Sequence, residues 1–170
     1  MGELFSSERL MFRSYTEDDF KFLYSMLSDE KMMRFIGSGK PRNREESVNF
    51  LQWIFQHYEL NKEYGLKLLV RKTDGVPIGH AGIVPQVIEG REELEVGYWI
   101  AREHWGNGYA SEAAKSLLER GLSQLGEDRY ISLVQKGNLA SRKVAEKTGM
   151  RLAKEIILGD KQVCLYEYEK

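Results

Sequence analysis

The stretch that constrains this chain most is Trp105-Gly106-Asn107-Gly108-Tyr109-Ala110, because it joins an alternating run, Glu95-Val96-Gly97-Tyr98-Trp99-Ile100, directly to a helical pattern. Gly106 and Gly108 remove Cβ atoms where backbone N–H groups would approach an anion. The helix that opens near Ala110 adds unpaired first-turn N–H groups and the positive end of its dipole. A turn so built can hold a diphosphate.

Two commoner nucleotide patterns do not fit. No third glycine stands at the GxGxxG offset, and there is no GxxxxGK[ST]. The doubly wound dinucleotide fold and the P-loop both lose their specific support.

The turn instead resembles the coenzyme A pyrophosphate loop of the GNAT superfamily of N-acetyltransferases, a strand followed by (Q/R)xxGx(G/A) and a helix. Trp105 to Ala110 match it, with Trp105 standing where Arg or Gln is usual. That substitution, with Glu95 to Ile100 upstream and Gly108-Tyr109-Ala110-Ser111-Glu112-Ala113 downstream, resembles the branch containing the ribosomal-protein N-terminal (alanine/serine) acetyltransferases. Asn138-Leu139-Ala140-Ser141, followed by Val144, Lys147, Gly149 and Met150, is similar to that branch's NxxSxxVxxKxG(F/M) helix.

Length and composition suit one domain spanning residues 1–170. The chain is 42% hydrophobic and 30% charged with a net charge of −1, which gives no electrostatic footprint for nucleic acid. The single cysteine, Cys164, cannot form an intramolecular disulfide and reads as a free thiol in a reducing compartment. No signal-peptide core or membrane-spanning apolar run occurs, so a cytoplasmic protein without a membrane partner is expected. Gly2 and Ser6 have the myristoylation spacing, but no basic patch accompanies them.

Periodicity lays out the elements. Residues 8–15 read as a strand, and Thr16 caps a helix ending near Ser28 or Asp29. Residues 32–43 read as a loop carrying Arg34, Lys40 and Arg42. Residues 44–60 form a helix broadly striped by Val48, Leu51, Ile54, Phe55 and Tyr58, joined by Phe50 and Trp53, with His57 at its surface or locally hydrogen-bonded. Strands over 64–72, 76–88 and 92–101 meander through turns at Asp74-Gly75 and Glu89-Gly90-Arg91, with Pro85 marking an edge or bulge. A helix over 110–125, a strand over 130–134 parallel to the one before the turn, a helix capped by Asn138 and a hairpin about Gly159-Asp160 complete the chain. The GNAT fold has this same order: an α/β (α+β) domain with a mixed, mostly antiparallel sheet of about seven strands and about four helices. Exposed strands near the C-terminus leave room for a homodimer.

The resemblance implies acetyl-CoA as cosubstrate, no metal, and direct transfer to an amine in a ternary complex. The backbone from Trp105 through Gly106, Asn107, Gly108 and Tyr109 to Ala110 would take the pyrophosphate, with the Ser111 hydroxyl adding a donor. Trp99 and Ile100 would lend main-chain groups to the pantetheine arm and acetyl carbonyl, and Asn138 would meet the pantetheine amides. Strand alternation places Glu95 with Gly97 and Trp99 on one face, opposite Leu94, Val96 and Tyr98. Glu95 is the candidate general base, acting through water. Ser141 is the candidate at the coenzyme sulfur, protonating it or orienting the cofactor; many GNAT enzymes use a tyrosine four positions later, where this chain has Ala145.

An α-amine with a pKa of about 7.7 to 8.0 needs roughly 1 kcal/mol to lose its proton at pH 7, whereas a lysine amine near 10.4 needs roughly 4 to 5. A water-mediated base therefore suits an α-amine. The branch implies the N-terminal amine of a protein, a ribosomal one included. Polyamines, amino sugars and antibiotics stay open as acceptors, as does a coenzyme A-binding module without catalysis.

Overall fold

The computed structural model describes residues 3–170; Gly2, on which the acylation spacing depends, lies outside them. The alternation of Leu10 and Phe12 against Met11 and Arg13 builds β2 (Leu10–Ser14), with Leu10 and Phe12 fully buried. Ahead of it, β1 (Glu3–Ser6) pairs antiparallel with β2. Periodicity does not reveal β1, because four residues are too few to show alternation and their pairing partner is what makes them a strand.

Thr16 opens a 3-10 turn over Glu17–Asp19, its N–H donating to Asp19 Oδ2 at 2.8 Å, before α1 (Phe20–Leu27) begins. A one-turn helix, α2 (Glu30–Met33), runs into the stretch expected to be loop. Asp29 Oδ1 accepts from the amides of Lys31 and Met32 at 3.0 and 3.3 Å, and Met32 and Met33 are buried. The turn forms because a cap and two core side chains hold it, neither of which has a helical period.

A capping box starts α3 (Arg44–Leu60): Glu46 N donates to Asn43 Oδ1 at 2.8 Å and Asn43 N to Glu46 Oε1 at 2.9 Å. Its buried stripe is Ser47, Phe50, Leu51, Ile54 and His57, and Val48 faces outward. Phe50, Leu51 and Ile54 of the expected stripe are buried, while Val48 at its edge is not, because the helix meets the sheet along its Phe50 side. His57, expected at the surface, is buried, with the Trp53 ring edge-on at 4.4 Å between centroids. Burial, with the nearby Lys67 charge, pushes its pKa down.

β3 (Gly65–Arg71), β4 (Pro77–Ile88) and β5 (Arg91–Ile100) form the expected antiparallel meander. β3 pairs with β4 only as far as Ile83, so Pro85, opposite Leu94, lies where β4 has outrun one neighbour and a missing N–H disrupts nothing. From the end of β5 the chain passes through the glycine turn into α4 (Tyr109–Gln124) and crosses to β6 (Arg129–Gln135), which is parallel to β5. α5 (Leu139–Lys147) follows, then the hairpin β7 (Arg151–Leu158) and β8 (Lys161–Glu169), with β8 inserted next to β6.

The sheet runs β1-β2-β3-β4-β5-β6-β8-β7. Among the described residues there are eight strands and five α-helices, the additions to the expected count being β1 and α2. α4 and α5 cover one face, over Leu10, Phe12, Ile78, Ala81 and Tyr130. α1 and α3 cover the other, over Leu66, Leu68, Val70 and Val84. Each fully buried aliphatic or aromatic side chain stabilises the fold by about 1.5–3 kcal/mol, so both helical layers are held mainly by what they bury. Among the described residues, no helix is long and apolar enough to cross a membrane.

One irregularity positions everything that follows. β5 and β6 are in register at Glu95 and Ile131, and Ser132 Oγ donates to the Val96 carbonyl at 2.8 Å. Beyond this point the two strands part instead of continuing their ladder.

Candidate active site

Where β5 and β6 part, a cleft of about 740 Å3 opens. It is lined by Glu95, Trp99, Ile100, Trp105, Gly106, Asn107, Gly108, Tyr109, Ala110, Ser111, Asn138 and Ser141, which brings together every site residue expected from the sequence. The elements responsible are the end of β5, the first turn of α4 and the first turn of α5.

At the mouth, Gly106 and Gly108 have φ of 82° and 78°, in the left-handed region that side chains resist. No heavy atom lies within 4 Å of where a Cβ on Gly106 would stand, so the space beside the turn is open to a ligand. Gly108 is the N-cap of α4, and its carbonyl accepts from Glu112 N at 3.1 Å. The N–H groups of Tyr109, Ala110 and Ser111 precede that first helical bond and have no acceptor within the helix. They line the cleft at the positive end of a 16-residue helix dipole, which suits a diphosphate.

The turn is held from two sides. The Trp105 indole N–H donates to the Ile100 carbonyl at 2.6 Å, which fastens the corner to the strand end. That carbonyl is thereby engaged within the protein, so the expected main-chain contribution of Ile100 is reduced to what its amide can offer. From below, Arg9 Nη1 donates to the Asn107 carbonyl at 2.9 Å while Arg9 Nε donates to Glu112 Oε1 at 2.6 Å. Glu112 Oε2 accepts from Arg9 N at 2.8 Å and Ser7 Oγ at 2.6 Å. The Arg9 guanidinium also lies over the Tyr109 ring, 4.4 Å from its centroid. Arg9 is a hundred positions from the turn in sequence and has no signal there that links it to Glu112.

Deeper in, Asn138 Oδ1 caps α5 by accepting from Ser141 N at 3.2 Å, which leaves the amide nitrogen of Asn138 for a ligand. The Ser141 hydroxyl donates to the Tyr98 oxygen at 3.3 Å, and the Tyr98 hydroxyl donates to the Ser141 carbonyl at 2.9 Å. Tyr98 lines the cleft beside Ser141, although strand alternation sets it on the face opposite Glu95. It escapes notice in the sequence because α5, arriving from far along the chain, is what meets it. Ala145 is fully buried.

Glu95 is partly buried in the cleft wall and accepts from Gln86 Nε2 at 2.9 Å. Burial raises its pKa, and hydrogen bonding, that of Gln86 first, holds part of that rise back. A second cavity of about 400 Å3 adjoins on the far side of Glu95. Phe35, Ile36, Trp99, Leu133, Leu158, Asp160 and Lys161 are among its walls. Phe35, Ile36, Glu95, Trp99, Leu133 and Gln135 border both spaces, the first of which reaches the α4 terminus while the second also meets Asp160 and Lys161. Such an arrangement can hold a long anionic carrier on one side and an amine on the other, with a carboxylate between them. Among the described residues, no cluster of His, Cys, Asp or Glu is placed to hold a metal ion.

Comparison with known proteins agrees with this geometry. Residues 9–151 match the acetyltransferase (GNAT) domain family, and the chain belongs to that family. It is therefore an acetyl-CoA-dependent N-acetyltransferase. Across 163 residues, covering 95% of this chain and 92% of the relative, it is 34% identical to the uncharacterized protein YkkB of Bacillus subtilis. Its fold is similar to that of RimL, a ribosomal alpha-N-protein acetyltransferase solved with coenzyme A (TM-score 0.80, 16% identity, 98% and 97% of the two chains). It is also similar to a spermidine N-acetyltransferase from Vibrio cholerae solved with coenzyme A and spermine (TM-score 0.76, 16% identity, 95% of each chain). Likeness to a protein-directed and a polyamine-directed enzyme is so nearly equal that the fold does not choose between their acceptors.

Proposed function

We propose that residues 1–170 act as one catalytic domain that transfers the acetyl group directly to the α-amine at a protein N-terminus, a ribosomal protein included. The observation that carries this reading is Glu95, a carboxylate with a raised pKa standing between the coenzyme cleft and the second cavity. An α-amine needs only about 1 kcal/mol to deprotonate at pH 7, within reach of a base acting through one water. In this reading the second cavity, of about 400 Å3, is where the first residues of an extended chain enter.

In this reading the amides of the turn and of Tyr109, Ala110 and Ser111 bind the diphosphate, and Asn138 and the Ile100 amide, which faces away from β4, align the pantetheine arm, the Trp99 backbone being paired with His80. Glu95 takes the amine proton as nitrogen attacks the thioester carbonyl, and the Ser141 hydroxyl lies at the departing sulfur, protonating it or orienting the cofactor. Holding both reactants in one splayed strand pair supplies the proximity on which a direct transfer depends. The exposed edge strand β7 is where a homodimer would pair.

A small cationic amine is the second reading, favoured by the Asp160 carboxylate on the same cavity as Glu95. Free thiol release with a panel of peptides, polyamines and amino sugars tests both. Peptides with a free N-terminus are expected to exceed Nα-blocked lysine peptides by at least about tenfold in kcat/KM at pH 7. Preference for polyamines or amino sugars would replace the protein reading with the small-amine one.

A further inference from the structure

Many members of the family bring a tyrosine to the coenzyme sulfur from the helix that here is α5, and in this chain that helical position is the buried Ala145. A phenol nevertheless reaches α5 from the opposite wall, at Ser141 in its first turn, one turn before Ala145. Tyr98, on β5, and Ser141, on α5, exchange two hydrogen bonds: Tyr98 O–H to the Ser141 carbonyl at 2.9 Å, and Ser141 Oγ–H to the Tyr98 oxygen at 3.3 Å. Both side chains line the cleft.

We propose that Tyr98 is the acid that protonates the departing coenzyme sulfur, and that Ser141 is a positioning residue whose hydroxyl supports the phenolate. The direction of the second hydrogen bond carries the argument. Ser141 already donates into the phenol oxygen, so it stabilises the charge that appears there when Tyr98 gives up its proton. The reverse assignment would leave a serine alkoxide beside a phenol still bonded to a carbonyl. A phenol, with a pKa of about 10 in water, is also a stronger acid than an aliphatic hydroxyl.

The step balances. The carbon–sulfur bond breaks with its electron pair on sulfur, the Tyr98 proton moves to sulfur, and the free thiol leaves. The phenolate recovers a proton from solvent, which has received the amine proton by way of Glu95. Burial, with the charges of Glu95 and Tyr166, pushes the Tyr98 pKa up to about 12, against the lowering effect of its bond to Ser141. Tyr98 therefore stays protonated in the resting protein across the working range.

The inference rests on the acetyl-transfer reading, and two measurements keep the two separable. In steady-state turnover, Tyr98→Phe is expected to lower kcat by at least about 100-fold with KM for acetyl-CoA within about threefold, the usual scale of a lost general acid. Ser141→Ala is expected to lower kcat by about tenfold, and the double variant to match Tyr98→Phe alone. Retention of kcat within threefold in Tyr98→Phe, or a Ser141→Ala effect as large as that of Tyr98→Phe, would overturn the assignment.

The second measurement needs no acceptor: titration of the thiol of bound coenzyme A by its thiolate absorbance. Tyr98→Phe is expected to raise that thiol's pKa by about one unit, the loss of one donor to a charged group, and Ser141→Ala by much less. An unmoved thiol pKa in Tyr98→Phe would overturn the proposal even if turnover fell. A shifted thiol pKa in a protein that acetylates none of the amines would uphold Tyr98 and discard the acceptor reading.

Discussion

The indole nitrogen of Trp105 lies 2.6 Å from the carbonyl oxygen of Ile100 and donates to it, so the residue that departs from the family's usual Arg or Gln ties the phosphate turn to the end of β5. A tryptophan here is a brace, half exposed but anchored by its one polar atom. Trp105→Phe keeps the ring and removes the donor. A single such bond is worth about 0.5–1.5 kcal/mol, so coenzyme A is expected to bind about 2- to 13-fold more weakly by calorimetry. Unchanged affinity would mean that the turn holds its shape without the brace.

Gly108 occupies the left-handed region at φ 78° as the N-cap of α4. Gly108→Ala forces a Cβ into that conformation at a cost of about 1–2 kcal/mol. The melting temperature is expected to fall by roughly 2–8 °C, at about 2–4 °C per kcal/mol for a chain of this size, and coenzyme A affinity to fall with it. Thermal unfolding with and without coenzyme A measures both.

Glu95 has a pKa raised by burial, so the folded protein holds that proton more tightly than the unfolded chain does. Between the unfolded carboxylate value and the raised folded value, stability therefore falls as pH rises, and at pH 7 the ionised carboxylate opposes folding. Glu95→Gln is expected to be at least as heat-stable as the parent at pH 7 while losing activity, and to lose the acidic limb of the kcat/KM profile that the carboxylate produces. A Gln variant that keeps both rate and acidic limb would remove Glu95 from catalysis.

Glu112 has the opposite sign. Burial pushes its carboxyl up, but donors from Ser7 and Arg9 outweigh it and hold the pKa below the usual value. The stability it contributes is present above the unfolded carboxylate value and is lost as pH falls through the lowered folded one. Glu112→Gln is expected to cost about 1–2 kcal/mol at pH 7, discounted for the 41% exposure of the Arg9 side chain, and much less below pH 4. Denaturant unfolding at the two pH values checks it.

The parts of this protein legible in its sequence are those with a short-range physical signature. The turn at Gly106 and Gly108, the α4 stripe, the Asp74-Gly75 hairpin and the Asn138 cap each announce themselves within a few residues. Alternation along β5 placed Glu95 and Trp99 on one face, where both border the two cavities. What stayed hidden is made by contacts between distant segments. β1 exists by pairing with β2, α2 by the Asp29 cap and the burial of two methionines, and the Arg9–Glu112 clamp by the β2 entrance passing beneath α4. His57 has no neighbour in the sequence that suggests a partner, and only the packing of α3 turns it inward. Tyr98 stayed hidden for the same reason: its partner lies 43 positions further along the chain.

The most direct test of the central claim is an amide spectrum of the 15N-labelled protein as coenzyme A is added. The expected result is that the N–H groups of Gly106, Gly108, Tyr109, Ala110 and Ser111 move most and become protected from exchange, in proportion to occupancy. Saturable binding that leaves those amides unmoved while others shift would contradict the account, because the diphosphate would then lie away from the α4 terminus.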